Sequence, residues 1–325
     1  MNSNKIYNWG ILGCGKIAHK FAQDLQSIPN AKLQAVASRN IEKAKDFGDT
    51  YQTPTHYGSY IELAKDTKID IIYIATPHVF HYENTMMCLN EKKAVLCEKP
   101  FAMNKAQVSE MIQMAKTQNT FLMEALWTYF LPHYEFVLQT LKGNQLGKIK
   151  SLKADFGFAS TFDPNNRIFR KELGGGSLLD VGIYPLFAAL SMIGIPEKIE
   201  ASANFGETGI DEDCNMTLHY KNKVSANLFS SVIQKTETKA FIQLEYGSII
   251  INSRFHEPSS VTITKDGDSK LYEFPVVTNG YNYEAIHVQN MLERGNIEST
   301  VMSFEKSLNL IELLDNVRKE IKLEY

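Results

Sequence analysis

The chain has 325 residues, enough for two domains of ordinary size. Its 34 Lys and Arg nearly balance 37 Asp and Glu, and the net charge of −3 offers no basic field to a nucleic acid or an anionic membrane. Hydrophobic residues at 44% exclude general disorder, and four cysteines (Cys14, Cys88, Cys97, Cys214) without C-x-x-C spacing read as reduced thiols. A polar start leads straight into a strand, so no signal peptide and a cytoplasmic location are expected. Strands are expected at Tyr7–Leu12, Leu33–Ser38, Ile69–Ala75, Ala94–Glu98 and Phe121–Glu124. Helices are expected between them at Ile17–Gln26, Ile41–Phe47, Tyr60–Ala64, Tyr82–Asn90 and Lys105–Gln118. Apolar strands alternating with helices mark a parallel sheet covered on both faces. After residue 147 the texture changes to alternating runs at Ile149–Phe158, Lys198–Phe205, Met216–Tyr220, Val224–Val232, Lys239–Tyr246, Ser248–Asn252, Val261–Lys265 and Leu271–Phe274. Turn residues at Lys221–Asn222 and Asp266–Gly267–Asp268 join some of these runs as hairpins. A helix at Ser177–Ile193 interrupts them, and helices at Tyr283–Arg294 and Phe304–Lys322 close the chain. The apolar stretch Val181–Ile195 is too short to cross a bilayer and contains Pro185, so it reads as a buried helix.

Gly13-Cys14-Gly15-Lys16-Ile17-Ala18 fits G-x-G-x-x-A directly after a strand and at the start of a helix, the context a dinucleotide-binding turn requires. Gly13 permits the tight turn and Gly15 the approach of a pyrophosphate. Lys16 and Ile17 open the helix whose N-terminus takes the phosphates, and Ala18 lets helix and strand pack closely. The fold class that follows is α/β. A Rossmann doubly wound parallel sheet over residues 1–124 precedes an α+β domain over 125–325, built on a large open, mostly antiparallel sheet for substrate binding and dimerisation. At the end of the second strand an NAD site places an acid for the ribose 2′-hydroxyl. This chain has Ser38-Arg39, and a guanidinium pairs bidentately with a 2′-phosphate, so NADP(H) is expected in preference to NAD(H).

Glu98-Lys99-Pro100 stands at the end of a later strand, and ligands of open α/β sheets lie outside those carboxyl ends, which points Lys99 toward the nicotinamide. Further on comes Gly174-Gly175-Gly176-Ser177-Leu178-Leu179-Asp180-Val181-Gly182-Ile183-Tyr184-Pro185. With the glycine turn, these motifs resemble the Gfo/Idh/MocA oxidoreductase family in type and order, over essentially the whole chain. The resemblance implies a Rossmann domain, a C-terminal domain with an open sheet, a catalytic lysine before the proline and an often-cis Lys–Pro bond. Much of the family has histidine where this chain has Tyr184. Tyrosine followed by proline, and Glu124-Ala125-Leu126-Trp127-Thr128, are similar to the branch holding dimeric dihydrodiol dehydrogenase and NADP-dependent D-xylose dehydrogenase. Tyr129 replaces an arginine found in several relatives, a departure that bears on substrate contacts.

Oxidising a secondary alcohol needs hydride loss to a nicotinamide and proton loss from the hydroxyl. A phenol, with an ordinary pKa of about 10, exchanges protons near neutrality only if a cation favours its phenolate. Tyr184 is therefore assigned as the general acid/base, Lys99 as the charge that tunes it, and Asp180, four residues before Tyr184 on one helix face, as support. Thr76, Pro77 and His81 resemble the family's loop beside the cofactor, and Glu98 joins that set. His78 and His81 lack the further ligands a metal would need, so no metal is expected. Trp127 is read either as a wall of the nicotinamide pocket or as interdomain core, and Arg167 either as a substrate contact or as a solvated loop residue. The expected substrate is a small neutral sugar, polyol or trans-dihydrodiol. A non-catalytic dinucleotide-binding regulator and a cofactor-recycling enzyme without net redox are the alternatives. An uncovered sheet face carrying Leu228, Phe241 and Leu244 exposes apolar area, so face-to-face homodimerisation is expected.

Overall fold

The structure, a computed structural model, describes residues 5–325 and forms two compact units. The first runs up to Phe130 and also takes Val276–Leu308, while the second holds Leu131–Pro275 and Asn309–Tyr325. The division differs from two consecutive stretches, because the chain returns to the first unit late.

The first unit carries strands β1 (Tyr7–Leu12), β2 (Ala31–Ala37), β3 (Thr55–Tyr57), β4 (Ile71–Ile74), β5 (Ala94–Glu98) and β6 (Leu122–Ala125). They form one parallel sheet in the order β3-β2-β1-β4-β5-β6. Helices α1 (Lys16–Leu25), α2 (Ile41–Tyr51), α3 (Tyr60–Lys65), α4 (His81–Asn90) and α5 (Lys105–Gln118) connect the strands. β4, β5 and β6 are buried along their whole length, as strands covered on both faces must be. The strand order reverses between β1 and β4, the switch point where open α/β sheets take ligands. On the core side Phe21 of α1 stacks on Tyr73 of β4 with ring centroids 3.8 Å apart, and Trp9 lies 5.5 Å from Phe21. Five of the six strands coincide with apolar runs of the sequence. β3 is three half-buried residues, too short to show a period.

The second unit opens with α6 (Pro132–Lys142), not expected from the sequence although Pro132 stands at its first turn, where proline's fixed φ suits a helix. Its sheet contains β7 (Ile149–Gly157), β8 (Lys198–Phe205), β9 (Asp211–His219), β10 (Ser225–Ser231), β11 (Ala240–Leu244), β12 (Gly247–Ile251), β13 (Val261–Lys265) and β14 (Asp268–Tyr272). The order is β14-β13-β12-β11-β7-β10-β9-β8, antiparallel throughout except for the β7–β10 pair. Helix α7 (Ile183–Met192) is almost entirely buried and is preceded by a π-helical turn at Leu178–Gly182, where a continuous α-helix was expected. By length and composition Lys171–Met192 would pass as membrane-spanning, but 83% of its apolar window is buried inside the fold, as in a core helix.

Leu228, Phe241 and Leu244, expected together on an uncovered sheet face, are divided between the two faces. Leu228, in register with Met216 and Ala154, and Leu244, on the same face of β11 as Ile242, are both buried, so they belong to the covered face. Phe241 lies on the opposite face, where the register sets it between Ile250 of β12 and Lys153 of β7. Alternation decides this, since a one-residue shift in parity moves a side chain to the other face.

Two late segments follow. α8 (Asn282–Glu293) belongs to the first unit, and α9 (Phe304–Ile321) begins there and continues into the second. Asp24 at the end of α1 holds the start of α8: its Oδ2 accepts the Tyr281 amide at 2.7 Å and its Oδ1 the Asn279 amide at 2.9 Å.

Candidate active site

The glycine turn lies between β1 and α1. Gly13 adopts φ +102°, and a Cβ there would meet the Ala75 carbonyl at 3.0 Å, so both conformation and space call for glycine. Gly15 caps α1 without a side-chain bond, no acidic residue lies in the first turn, and a Cβ on Gly15 would have nothing nearer than 3.9 Å. The first amides of a helix have no intrahelical acceptor and carry a partial positive charge. A turn left open and free of carboxylates there fits a pyrophosphate. Lys16 is exposed, Ile17 half-buried and Ala18 fully buried under the sheet.

At the end of β2, Arg39 is exposed, with its guanidinium 5.1 Å from the Phe80 ring centroid and close to the Tyr60 hydroxyl. Ser38 is buried; its Oγ accepts the Asn40 amide at 3.3 Å and lies beside the Cys14 thiol, which burial pushes up to about 11. The case for a 2′-phosphate therefore rests on Arg39.

Lys99 follows β5 and is half-buried, and the Lys99–Pro100 peptide is cis. Three buried side chains hold successive points of this turn. Glu98 accepts the Lys99 amide on Oε2 at 3.2 Å while its Oε1 takes the Tyr73 hydroxyl. His81 places Nδ1 2.8 Å from the Pro100 carbonyl and Nε2 2.8 Å from the Thr76 carbonyl, tying the loops after β4 and β5 together. Glu124 accepts the Phe101 amide at 3.0 Å. Thr76 Oγ1 accepts from Asn84 at 3.1 Å, and Pro77 precedes a short 3-10 turn at His78–Phe80. Glu98 and His81, expected as cofactor contacts, also brace the turn that carries Lys99. Trp127 stacks on Tyr281 with ring centroids 4.2 Å apart and planes 9° from parallel.

Glu124 has a measurable consequence. Burial pushes its carboxyl up to about 7, against the opposing pull of the Ser307 hydroxyl and the Phe101 amide. A carboxyl raised in the folded state binds more protons there than in the unfolded chain, so its stabilising contribution is full below about 4.5 and lost as pH rises through 7. The shift corresponds to a contribution on the order of 3 kcal/mol. In urea unfolding between pH 4 and 8, Glu124→Gln is expected to lose stability less steeply than the parent as pH rises. Parallel slopes would remove Glu124 from the account.

The second unit brings together residues that the sequence left apart. Asp180 sits in the π turn, and Arg167 Nη2 donates to its Oδ1 at 2.6 Å. Arg167 is thus an ion-pair partner of Asp180, half-buried on a loop whose Ile168 and Phe169 pack with Ile210 and Val232. The loop reaches Asp180 because Gly175 has no side chain: a Cβ there would stand 2.6 Å from the Ile168 carbonyl and 2.8 Å from that of Arg167. Gly175 and Gly176 donate instead to the Arg170 and Ile168 carbonyls, each at 2.9 Å.

Tyr184 follows in the first turn of α7. The π turn ends between it and Asp180, so their four-residue spacing is not one regular α-helical turn. The Tyr184 ring is 6% exposed and packs at 5.7 Å from Phe156 and 4.8 Å from His256 between ring centroids. His256 stacks on Phe156 at 4.1 Å and faces Glu257 at 3.5 Å. Burial alone would raise the Glu257 carboxyl, but His256 and Arg254 outweigh it and hold it well below the usual carboxylate range. Phe156 and His256 were missed because they lie on distant segments; the alternation of β7 was the only available signal for Phe156. Among the described residues no group of three or more His, Cys, Asp or Glu is placed to hold a metal ion.

Comparison with known proteins adds to this geometry. Residues 7–126 match the Gfo/Idh/MocA family described as an oxidoreductase family with an NAD-binding Rossmann fold, and residues 134–250 match the C-terminal domain of the same family. The chain belongs to the Gfo/Idh/MocA family. Its relatives include trans-1,2-dihydrobenzene-1,2-diol dehydrogenase of Xenopus tropicalis, 38% identical over 98% of both chains. Among solved structures, the 3-ketoreductase of Actinomadura kijaniata in complex with NADP and TDP-benzene superposes with a TM-score of 0.89 at 23% identity, covering 98% of each chain. The aldose-aldose oxidoreductase of Caulobacter crescentus does so with the same TM-score at 22% identity, again over 98% of each. Gfo/Idh/MocA membership accounts for both sheets, and the likeness to the solved structures extends over nearly all of this chain.

Proposed function

We propose that this Gfo/Idh/MocA protein is an NADP-dependent oxidoreductase that interconverts a secondary alcohol and a carbonyl on a small trans-dihydrodiol, sugar or polyol. The observation that carries the reading is Lys99, held at the carboxyl end of β5 by Glu98, His81 and Glu124 in a chain similar over its whole length to dihydrodiol dehydrogenases. NADP, when bound, supplies the hydride acceptor. The open N-terminus of α1 takes its pyrophosphate, and the Arg39 guanidinium its 2′-phosphate. Lys99 offers positive charge to the substrate oxygen, Tyr184 exchanges the hydroxyl proton, and Asp180, kept in place by Arg167, orients the substrate hydroxyls. Trp127, packed on Tyr281, is a positioning residue in this reading.

The cofactor assignment has a direct test. Arg39→Ala is expected to weaken NADP(H) binding by about ten- to a hundredfold, the value of charge-assisted hydrogen bonds to a phosphate, and to leave NAD(H) binding unchanged. Equal losses for both dinucleotides would reject a 2′-phosphate contact. The substrate class is tested by a reduction screen with NADP⁺ over trans-dihydrodiols, aldoses and inositols, and no turnover across that panel would count against the reading.

The open face of the second unit's sheet supports pairing with a second copy: Phe241, Ile250 and Leu271 lie along one cross-strand row with Thr262 between them. A dimer mass is expected in light scattering at micromolar concentration, and a monomer mass would reject it. Four cysteines without a disulfide support a cytoplasmic setting.

A further inference from the structure

A single π turn inside a helix is uncommon and calls for a local cause. Here the cause lies beneath it, at the first residue of β9. Asp211 is fully buried, and its Oδ2 accepts both the Leu178 amide at 2.6 Å and the Ser177 hydroxyl at 2.8 Å. Ser177 Oγ is also 3.0 Å from Ser230 Oγ on β10. Two glycines let the backbone settle onto this set. A Cβ on Gly176, whose φ is +118°, would stand 2.1 Å from Asp211 Oδ1, and a Cβ on Gly182 would stand 2.9 Å from Ser230 Oγ. Asp211 Oδ1 has no hydrogen-bond partner among the described residues, so all of the carboxyl's bonds are spent on one side, at the entry to the turn.

We propose that Asp211 is a positioning residue for the reaction: its carboxylate, through the Ser177 hydroxyl and the Leu178 amide, holds the π turn that presents Asp180 and Tyr184, and protonation of Asp211 loosens that turn. The proposal rests on the oxidoreductase reading above. An ionised carboxylate accepts stronger bonds from an amide and a hydroxyl than its neutral acid does, so the hold depends on charge. Burial pushes Asp211 up to about 7 while the Leu178 amide and Ser177 hydroxyl pull the other way, which puts the change of state near neutral pH. The charged and titratable groups facing this region are Cys214 and Asp213 on its own strand, Tyr325 with Arg318 over its ring, and Asp180 paired to Arg167 on the turn itself. Tyr325 donates to the Gly175 carbonyl at 3.0 Å, so the glycine run is held from that side as well. The Cys214 thiol and Tyr325 phenol are pushed up by burial and stay neutral through this range, leaving Asp211 as the buried group there whose charge changes near pH 7.

The test compares Asp211→Asn, which keeps the shape and an acceptor oxygen, with Asp211→Ala, which removes both. Three readouts are used: kcat and KM from pH 5.5 to 9, NADP(H) affinity, and amide hydrogen exchange across residues 176–184 of the free protein. The parent is expected to lose kcat on the acid side with a midpoint near 7, and Asp211→Asn is expected to lack that limb. Asp211→Ala is expected to lower kcat by about ten- to a hundredfold, the scale of loss when a reacting group is misplaced by about 1 Å, with NADP(H) affinity unchanged and exchange at 176–184 faster. If Asp211→Ala does not fold, Asp211→Asn and Ser177→Ala carry the same comparison. Parent-like acid limb and parent-like exchange in these variants would overturn the proposal. Tyr184→Phe, measured alongside, separates the two levels. Absence of parent turnover across the substrate panel refutes the oxidoreductase reading, and retained turnover in Tyr184→Phe refutes Tyr184 as the proton-exchanging group, whereas lost turnover in Tyr184→Phe with an unaltered limb in Asp211→Asn refutes the role of Asp211 alone.

Discussion

Tyr184→Phe is expected to reduce turnover by about 10²- to 10⁴-fold, the range in which a positioned general acid or base contributes. The substitution removes one oxygen and keeps the ring that packs against Phe156 and His256, so the fold of the second unit should be unaffected. NADP(H) affinity should also be unchanged, because the residues assigned to the dinucleotide belong to the first unit. Loss of kcat with intact cofactor binding is therefore the diagnostic pattern. Lys99→Met is expected to be comparably slow. Lys99→Arg should recover little, since a planar guanidinium does not reproduce a compact ammonium in a turn held at three successive backbone positions. Near-parental turnover in Tyr184→Phe would sink the assignment.

Gly176→Ala should be among the most damaging single substitutions in the second unit, by about 4–5 kcal/mol or more in chemical unfolding, beyond the ordinary range for point changes. Two effects add. An L-residue is strained at φ +118°, and the new methyl would occupy space within 2.1 Å of the Asp211 oxygen, where neither a fully buried carboxyl nor the backbone can move freely. Gly194 separates these effects: it has φ +110° with nothing within 4 Å, so Gly194→Ala carries the backbone strain alone and should cost about 1–2 kcal/mol. In the double variant Gly176→Ala, Asp211→Ala the clash disappears, and the two changes should couple favourably. Additive losses would mean that the contact with Asp211 is not what makes glycine necessary.

The parallel half of the fold was legible because strands buried on both faces write themselves as continuous apolar runs, and the glycine turn because its spacing is local. Lys99, Asp180 and Tyr184 could be named for the same reason, each lying within a short motif. What held them was not visible. The Arg167–Asp180 pair closes over thirteen residues through a glycine run, and its geometry follows from where Gly175 lets two carbonyls pass. The π turn leaves no mark in composition, since its cause, Asp211, comes from another strand. Glu124 did offer a signal, a carboxylate inside an otherwise apolar strand, and such a residue must find partners or change its charge. The faces of the second sheet were misread at Leu228 and Leu244 because parity along a strand depends on knowing where the strand is paired.

The late return of residues 276–308 to the first unit bears on how the protein is made. Asp24 closes the start of α8 across more than 250 positions of sequence, and Trp127 finds its stacking partner in Tyr281. A ribosome that has released the first 125 residues has exposed a complete parallel sheet without the helix that covers α1, so the unit made first cannot finish first. Contacts of such long separation slow folding and leave apolar surface waiting in the meantime. Fragments ending near residue 125 should accordingly need a chaperone or aggregate, whereas the sheet of the second unit, complete by residue 272, can assemble while α8 is still being synthesised.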